Sequence, residues 1–122
     1  MHTNIRSLQK NFEKLQELLC DIIPTPDLIA VSETWYDNSS FFNPVLPNYQ
    51  FVSSSLSCNR AGAVAIFLRN SFNFQIISDI KLSTEKCEDL WIEISGLNKR
   101  AAIIGVIYRH PGCSIKPFKK NF

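Results

Sequence analysis

Leu8, Phe12, Leu15, Leu19 and Ile22 recur at intervals of three and four residues, with Lys10, Glu13, Lys14 and Glu17 between them. That period lays one apolar stripe along an amphipathic helix. Ser7 stands where an N-cap would accept a backbone N–H, and Pro24 and Pro26 stop the helix. Residues 27–32 (DLIAVS) run apolar on both faces, the pattern of a strand covered on each side. Residues 49–53 predict a weaker strand, 63–69 a strong one, and 74–78 its hairpin partner across Asn70-Ser71. Leu90, Ile92 and Ile94 alternate with Trp91 and Glu93, so residues 90–95 predict a strand with distinct faces. Residues 96–99 read as a turn and 101–108 as another strand apolar on both faces. A helix, a strand and then mostly strands predict a sheet-rich α/β or α+β layered domain.

Composition narrows this picture. The 122 residues suit a single core, and 45% hydrophobic with 20% charged residues excludes a disordered chain. A net charge of +2 permits a nucleic-acid partner without arguing for one. Lys116, Lys119 and Lys120 read as part of a solvated, flexible tail over residues 112–122. Cys20, Cys58, Cys87 and Cys113 form no C-x-x-C pair, which disfavours a zinc knuckle. Neither a signal peptide nor a transmembrane run is visible, so these cysteines read as reduced thiols of an intracellular protein, nuclear or cytoplasmic and not secreted. The sequon Asn38-Ser39-Ser40 then carries no meaning. The helix begins so early that only residues 1–3 remain for a strand feeding it, and the pattern decays after Pro111. One helix cannot cover so many two-sided strands, so the chain is expected to be part of a larger fold.

Candidate chemistry gathers at strand ends. Asn4 precedes the helix and Glu33 ends the strand that follows it, in PDLIAVSETWYD. A strand, a crossover helix and a second strand normally form a parallel unit, whose strand ends open onto one edge. Asn4 and Glu33 would meet there as a hard-oxygen pair suited to Mg²⁺ or Mn²⁺. Tyr108 and Arg109 end another buried strand, and a phenol beside a guanidinium suits a phosphate. Each has a plain structural role as the alternative. Asn4 would cap the helix, Glu33 would be a solvated carboxylate, Tyr108 a core ring with a local partner, and Arg109 the mate of a surface acid. His110 reads as a loop residue, and Trp35 and Trp91 as packing anchors.

Taken in order, NIRSLQKNFEKLQELL, PDLIAVSETWYD, RAGAVAIFLRNS, EDLWIEI and IGVIYRHP resemble blocks of the endonuclease domain of non-LTR retrotransposons, in particular jockey-like and chicken-repeat-like elements. That domain belongs to the endonuclease/exonuclease/phosphatase superfamily, and the resemblance runs from Asn4 to about Pro111. It implies a four-layer α/β sandwich that nicks target DNA by metal-assisted phosphodiester hydrolysis, with Mg²⁺ or Mn²⁺ as cofactor and DNA as partner. It also implies roles. Asn4 matches the asparagine that orients active-site groups, Glu33 the metal-binding glutamate, Tyr108 the tyrosine at the scissile phosphate, and Arg109 the arginine of the Tyr-Arg-Pro-Pro block.

The departures are as informative. The family's later Gly-Asp-Phe-Asn and Ser-Asp-His segments supply the water-activating Asp, an Asn and the catalytic His, whereas Asp89 is the last Asp of this chain. YRHP replaces YRPP, and His110 lies in the wrong block to serve as the catalytic His. The resemblance therefore implies a truncated domain over residues 1–122, roughly the first half of the sandwich, inactive by itself. Two alternatives stay open: a non-catalytic half-domain that binds DNA or protein and self-associates through an exposed apolar sheet surface, and a phosphatase-like relative acting on a small phosphoester.

Overall fold

The computed structural model describes residues 1–36, 42–54, 62–78, 87–97 and 100–109. Several sequence expectations lie outside these residues: the sequon, Cys58, Cys113, His110, the centre of the turn expected at 96–99, and the tail over 112–122 with its lysines.

The apolar stripe forms α1 (Leu8–Cys20), burying Leu8, Leu15 and Leu19. Ser7 caps it as expected, its hydroxyl accepting the Lys10 N–H at 3.3 Å. The helix ends at Cys20, four residues short of Pro24, and the Asp21 and Ile22 N–H groups donate to the Leu18 and Leu19 carbonyls at 3.1 and 3.3 Å.

The strands are β1 (His2–Asn4), β2 (Leu28–Ser32), β3 (Tyr49–Ser53), β4 (Val64–Arg69), β5 (Asn73–Ile76), β6 (Cys87–Leu97) and β7 (Arg100–Arg109). They make one four-stranded sheet in the order β1-β2-β4-β3 and one three-stranded sheet in the order β5-β6-β7. The fold is α+β and mostly sheet.

Two apolar layers hold it together. Alternation along β2 and β4 splits their side chains between opposite faces. Ile29, Val31, Ala65 and Phe67 pack against α1. Ala30, Val64, Ile66 and Leu68 pack against Leu90, Ile92, Ile94 and Val106 of the second sheet. The order of layers is therefore helix, sheet, sheet, and the two-sided apolar pattern of residues 27–32 and 63–69 is explained by cover on both faces.

One expected pairing is not formed. Residues 74–78 were expected to return along 63–69, yet β5 pairs with β6. Both edges of β4 are already occupied, by β2 and by β3, so no ladder position remains for a hairpin partner. The turn after β4, closed by the Phe72 N–H on the Arg69 carbonyl at 3.1 Å, instead carries the chain into the second sheet.

This topology places the site. β1 and β2 are parallel, and Asn4 lies opposite Ser32, so both strands end at one edge. β4 is antiparallel to β2 and begins there, Val64 facing Ser32. In the second sheet Glu88 faces Tyr108.

Candidate active site where the two sheets meet

Glu33 is the first residue after β2, and three neighbours converge on its side chain and backbone. The Asn4 amide donates to Glu33 Oε1 at 2.9 Å. The Tyr108 phenol, delivered by the other sheet, donates to the Glu33 carboxylate. The Ser7 N–H donates to the Glu33 carbonyl at 2.8 Å, and the Leu8 N–H to the Thr34 carbonyl at 2.8 Å. The chain leaving β2 is thus laced to the chain entering α1.

The opposite flank is held as firmly. The Thr34 N–H donates to the Ala63 carbonyl at 3.2 Å, and the Trp35 N–H to the Gly62 carbonyl at 3.0 Å. Thr34 is 1% exposed, and its hydroxyl accepts the Tyr36 N–H at 3.3 Å. Behind this segment lies Glu88, buried at 5% exposure, whose carboxylate accepts the Ala63 N–H.

Backbone strain collects at the same place. Six non-glycine residues among those described have left-handed φ, and five of them, Arg6, Ser7, Glu33, Trp35 and Ala63, lie at this edge. Such a conformation costs roughly 1–3 kcal/mol per residue and persists only where surrounding contacts over-determine it, as they tend to at functional sites.

The electrostatics follow from the packing. Burial pushes the Tyr108 phenol up, its hydrogen bond to Glu33 and the Glu33 and Glu88 charges raise it further, and Arg6 opposes them, leaving it at about 12 against an ordinary 10.0. Tyr108 is accordingly a neutral donor at physiological pH. The folded state holds this proton more tightly than the unfolded chain does. The associated stability is complete below pH 10 and is lost as pH rises toward 12. Urea unfolding at pH 9 and pH 11.5 is expected to show that loss in the parent, and Tyr108→Phe is expected to flatten it. An equal loss in the variant would exclude Tyr108 as its source.

The donor set fits a hard divalent cation. The Glu33 carboxylate is a hard-oxygen donor with about four lone-pair sites, and Asn4 and Tyr108 both donate to it. Mg²⁺ commonly takes one or two carboxylates and fills its shell with water and phosphate oxygens. Among the described residues no three His, Cys, Asp or Glu side chains form a group that could hold a metal ion.

Of the residues singled out from the sequence, the fold brings together Asn4, Glu33 and Tyr108. Asn4 does not cap α1, since Ser7 does. Arg109 ends β7 opposite Cys87 and is exposed, and strand alternation puts it on the other face from Tyr108. Trp91 is a packing residue, its ring over Gly105 and its Nε1–H on Asp89 Oδ2 at 3.0 Å. Trp35 departs from the expectation of a packing anchor. It is 42% exposed, beyond the end of β2 at Ser32, in a stretch where Glu33 and Trp35 both take left-handed φ. Sequence reasoning passed over Glu88 and Arg6. For Glu88 a signal existed, since it continues the face of Leu90, Ile92 and Ile94 and puts an acid on an apolar stripe. Arg6 had none.

No protein-family model matches the chain, and no curated protein matches it. No helix among the described residues is long and apolar enough to cross a membrane.

Proposed function

We propose that the chain carries the metal-binding and phosphate-contacting part of a Mg²⁺- or Mn²⁺-dependent DNA endonuclease of the endonuclease/exonuclease/phosphatase type, related to those of non-LTR retrotransposons. The observation that carries this reading is the convergence of Asn4 and Tyr108 on Glu33 at an edge where two parallel strands end. The five sequence blocks from NIRSL to IGVIYRHP stand in that family's order. The helix, sheet and sheet layers are what the first half of a four-layer sandwich would present.

The chain's own residues divide the work. Glu33 would hold the cation, and Asn4 fixes the carboxylate that does so. Bound Mg²⁺ or Mn²⁺ would polarise a phosphoryl oxygen and stabilise the leaving oxyanion. Tyr108, neutral at physiological pH, would turn its hydroxyl toward a non-bridging phosphate oxygen where charge builds. Arg6, close enough to act on Tyr108, would draw the DNA backbone to the edge. No Asp follows Asp89 within the 122 residues, and His110 lies outside the described residues, so none of the residues placed at the edge is assigned the proton transfer. A positioned acid or base typically gives about 10²–10⁴ in rate. The 122 residues are therefore expected to bind without nicking.

Mn²⁺ titration followed by electron paramagnetic resonance, with nicking of supercoiled plasmid in parallel, tests this. The parent should take up Mn²⁺, Glu33→Ala should lose that uptake by about tenfold or more, and neither should nick above background. Uptake that ignores Glu33→Ala would overturn the metal assignment. Nicking by the parent that Glu33→Ala abolishes would keep the assignment and refute the expected inactivity.

A further inference from the structure

We propose that Glu88 is a positioning residue for this site: its buried carboxylate clamps the Gly62–Ala63 segment and, through it, sets where the turn after β2 presents Glu33. The proposal rests on the phosphodiesterase reading for its consequence at the metal, and on geometry alone for the clamp.

A carboxylate at 5% exposure is costly to bury, and nothing in an apolar stripe calls for one. Glu88 nonetheless occupies the β6 position that begins the stripe of Leu90, Ile92 and Ile94. Its carboxylate accepts the Ala63 N–H, and it lies so close to Gly62 that a Cβ there would overlap its oxygens. A Cβ at 62 would displace the carboxylate, and the bond is made at Ala63, whose left-handed conformation, φ 69°, alanine rarely adopts.

The held segment does one further thing. Its two carbonyls receive the Thr34 and Trp35 N–H groups, the two residues that follow Glu33. The chain around Glu33 is therefore gripped on two sides. One side is the start of α1, through the Ser7 and Leu8 N–H groups. The other is Gly62–Ala63, whose anchor is Glu88 in the second sheet. Glu88 also faces Tyr108 across β6 and β7, so the residue that holds Gly62–Ala63 lies opposite the one whose phenol donates to Glu33.

Amide hydrogen exchange and Mn²⁺ titration of the parent, Glu88→Gln and Glu88→Ala test the clamp. In Glu88→Ala the Thr34 and Trp35 amides are expected to exchange about ten- to a hundredfold faster, while Ile66 and Phe67 in β4 keep their protection. Mn²⁺ affinity should fall with them. Glu88→Gln retains an oxygen that accepts the Ala63 N–H and is expected to restore both to within about threefold of the parent. Unchanged Thr34 and Trp35 exchange in Glu88→Ala would overturn the proposal, as would an equal loss at Ile66, which would make Glu88 merely structural. A parent that shows the expected exchange pattern but binds no Mn²⁺ would overturn the phosphodiesterase reading, and with it the role of the clamp at a metal, while leaving the hold on the turn in place.

Discussion

Phe67→Ala is expected to destabilise the protein by about 3–5 kcal/mol. Phe67 sits in β4, fully buried on the face toward α1. Its ring centroid lies 5.0 Å from that of Phe51 and 6.2 Å from that of Phe12, and Phe12 meets Phe42 at 5.6 Å. Truncation removes the middle of this aromatic layer. Phe12 belongs to a helix and Phe51 to a paired strand, so neither can move in to fill the gap without breaking backbone hydrogen bonds. A domain of this size is stable by about 5–15 kcal/mol, so the loss is a large share of the whole. Urea denaturation should show a much lower midpoint with an unchanged slope. A loss under about 1 kcal/mol would mean that the helix does not pack on β4 as described.

Gly62→Ala is the second large effect, and its cause is a single contact. The added Cβ would overlap the Glu88 carboxylate, which must shift to make room while it holds the Ala63 N–H. Overpacking of this kind costs about 1–3 kcal/mol, and a strained hydrogen bond to a charged acceptor adds to it. The substitution should be far less harmful where the carboxylate has been removed. Glu88→Ala combined with Gly62→Ala is therefore expected to lose less than the sum of the single variants, by about 1 kcal/mol or more. Strict additivity in urea unfolding would show that the two side chains do not share the space.

The parts of the fold legible in the sequence were those set by local periodicity. The stripe from Leu8 to Ile22, with Ser7 ahead of it, gave α1 and its cap, although the helix ends at Cys20 and leaves Ile22 beyond it. The alternation of Leu90, Ile92 and Ile94 gave the buried face of β6, although the strand extends further in both directions. The partner of β5 was not legible. Asn70-Ser71 marks a turn, but which ladder edge is vacant depends on where β2 and β3 go, and no local pattern records that. At the site, Asn4 and Glu33 were legible because strand ends in a parallel pair share an edge. Tyr108 was legible as a strand-end phenol, though its placement beside Glu33 depends on how the second sheet lies on the first. Glu88 broke the apolar pattern of its own strand, and such a break marks a position where burial has been accepted for another purpose.

Glu33 and Asn4 come from one sheet, Tyr108 and Glu88 from the other. The site is thus a property of tertiary packing rather than of secondary structure. A compact, loosened state in which each sheet kept its own ladders would preserve the far-ultraviolet dichroism of the native protein and yet contain no site at all.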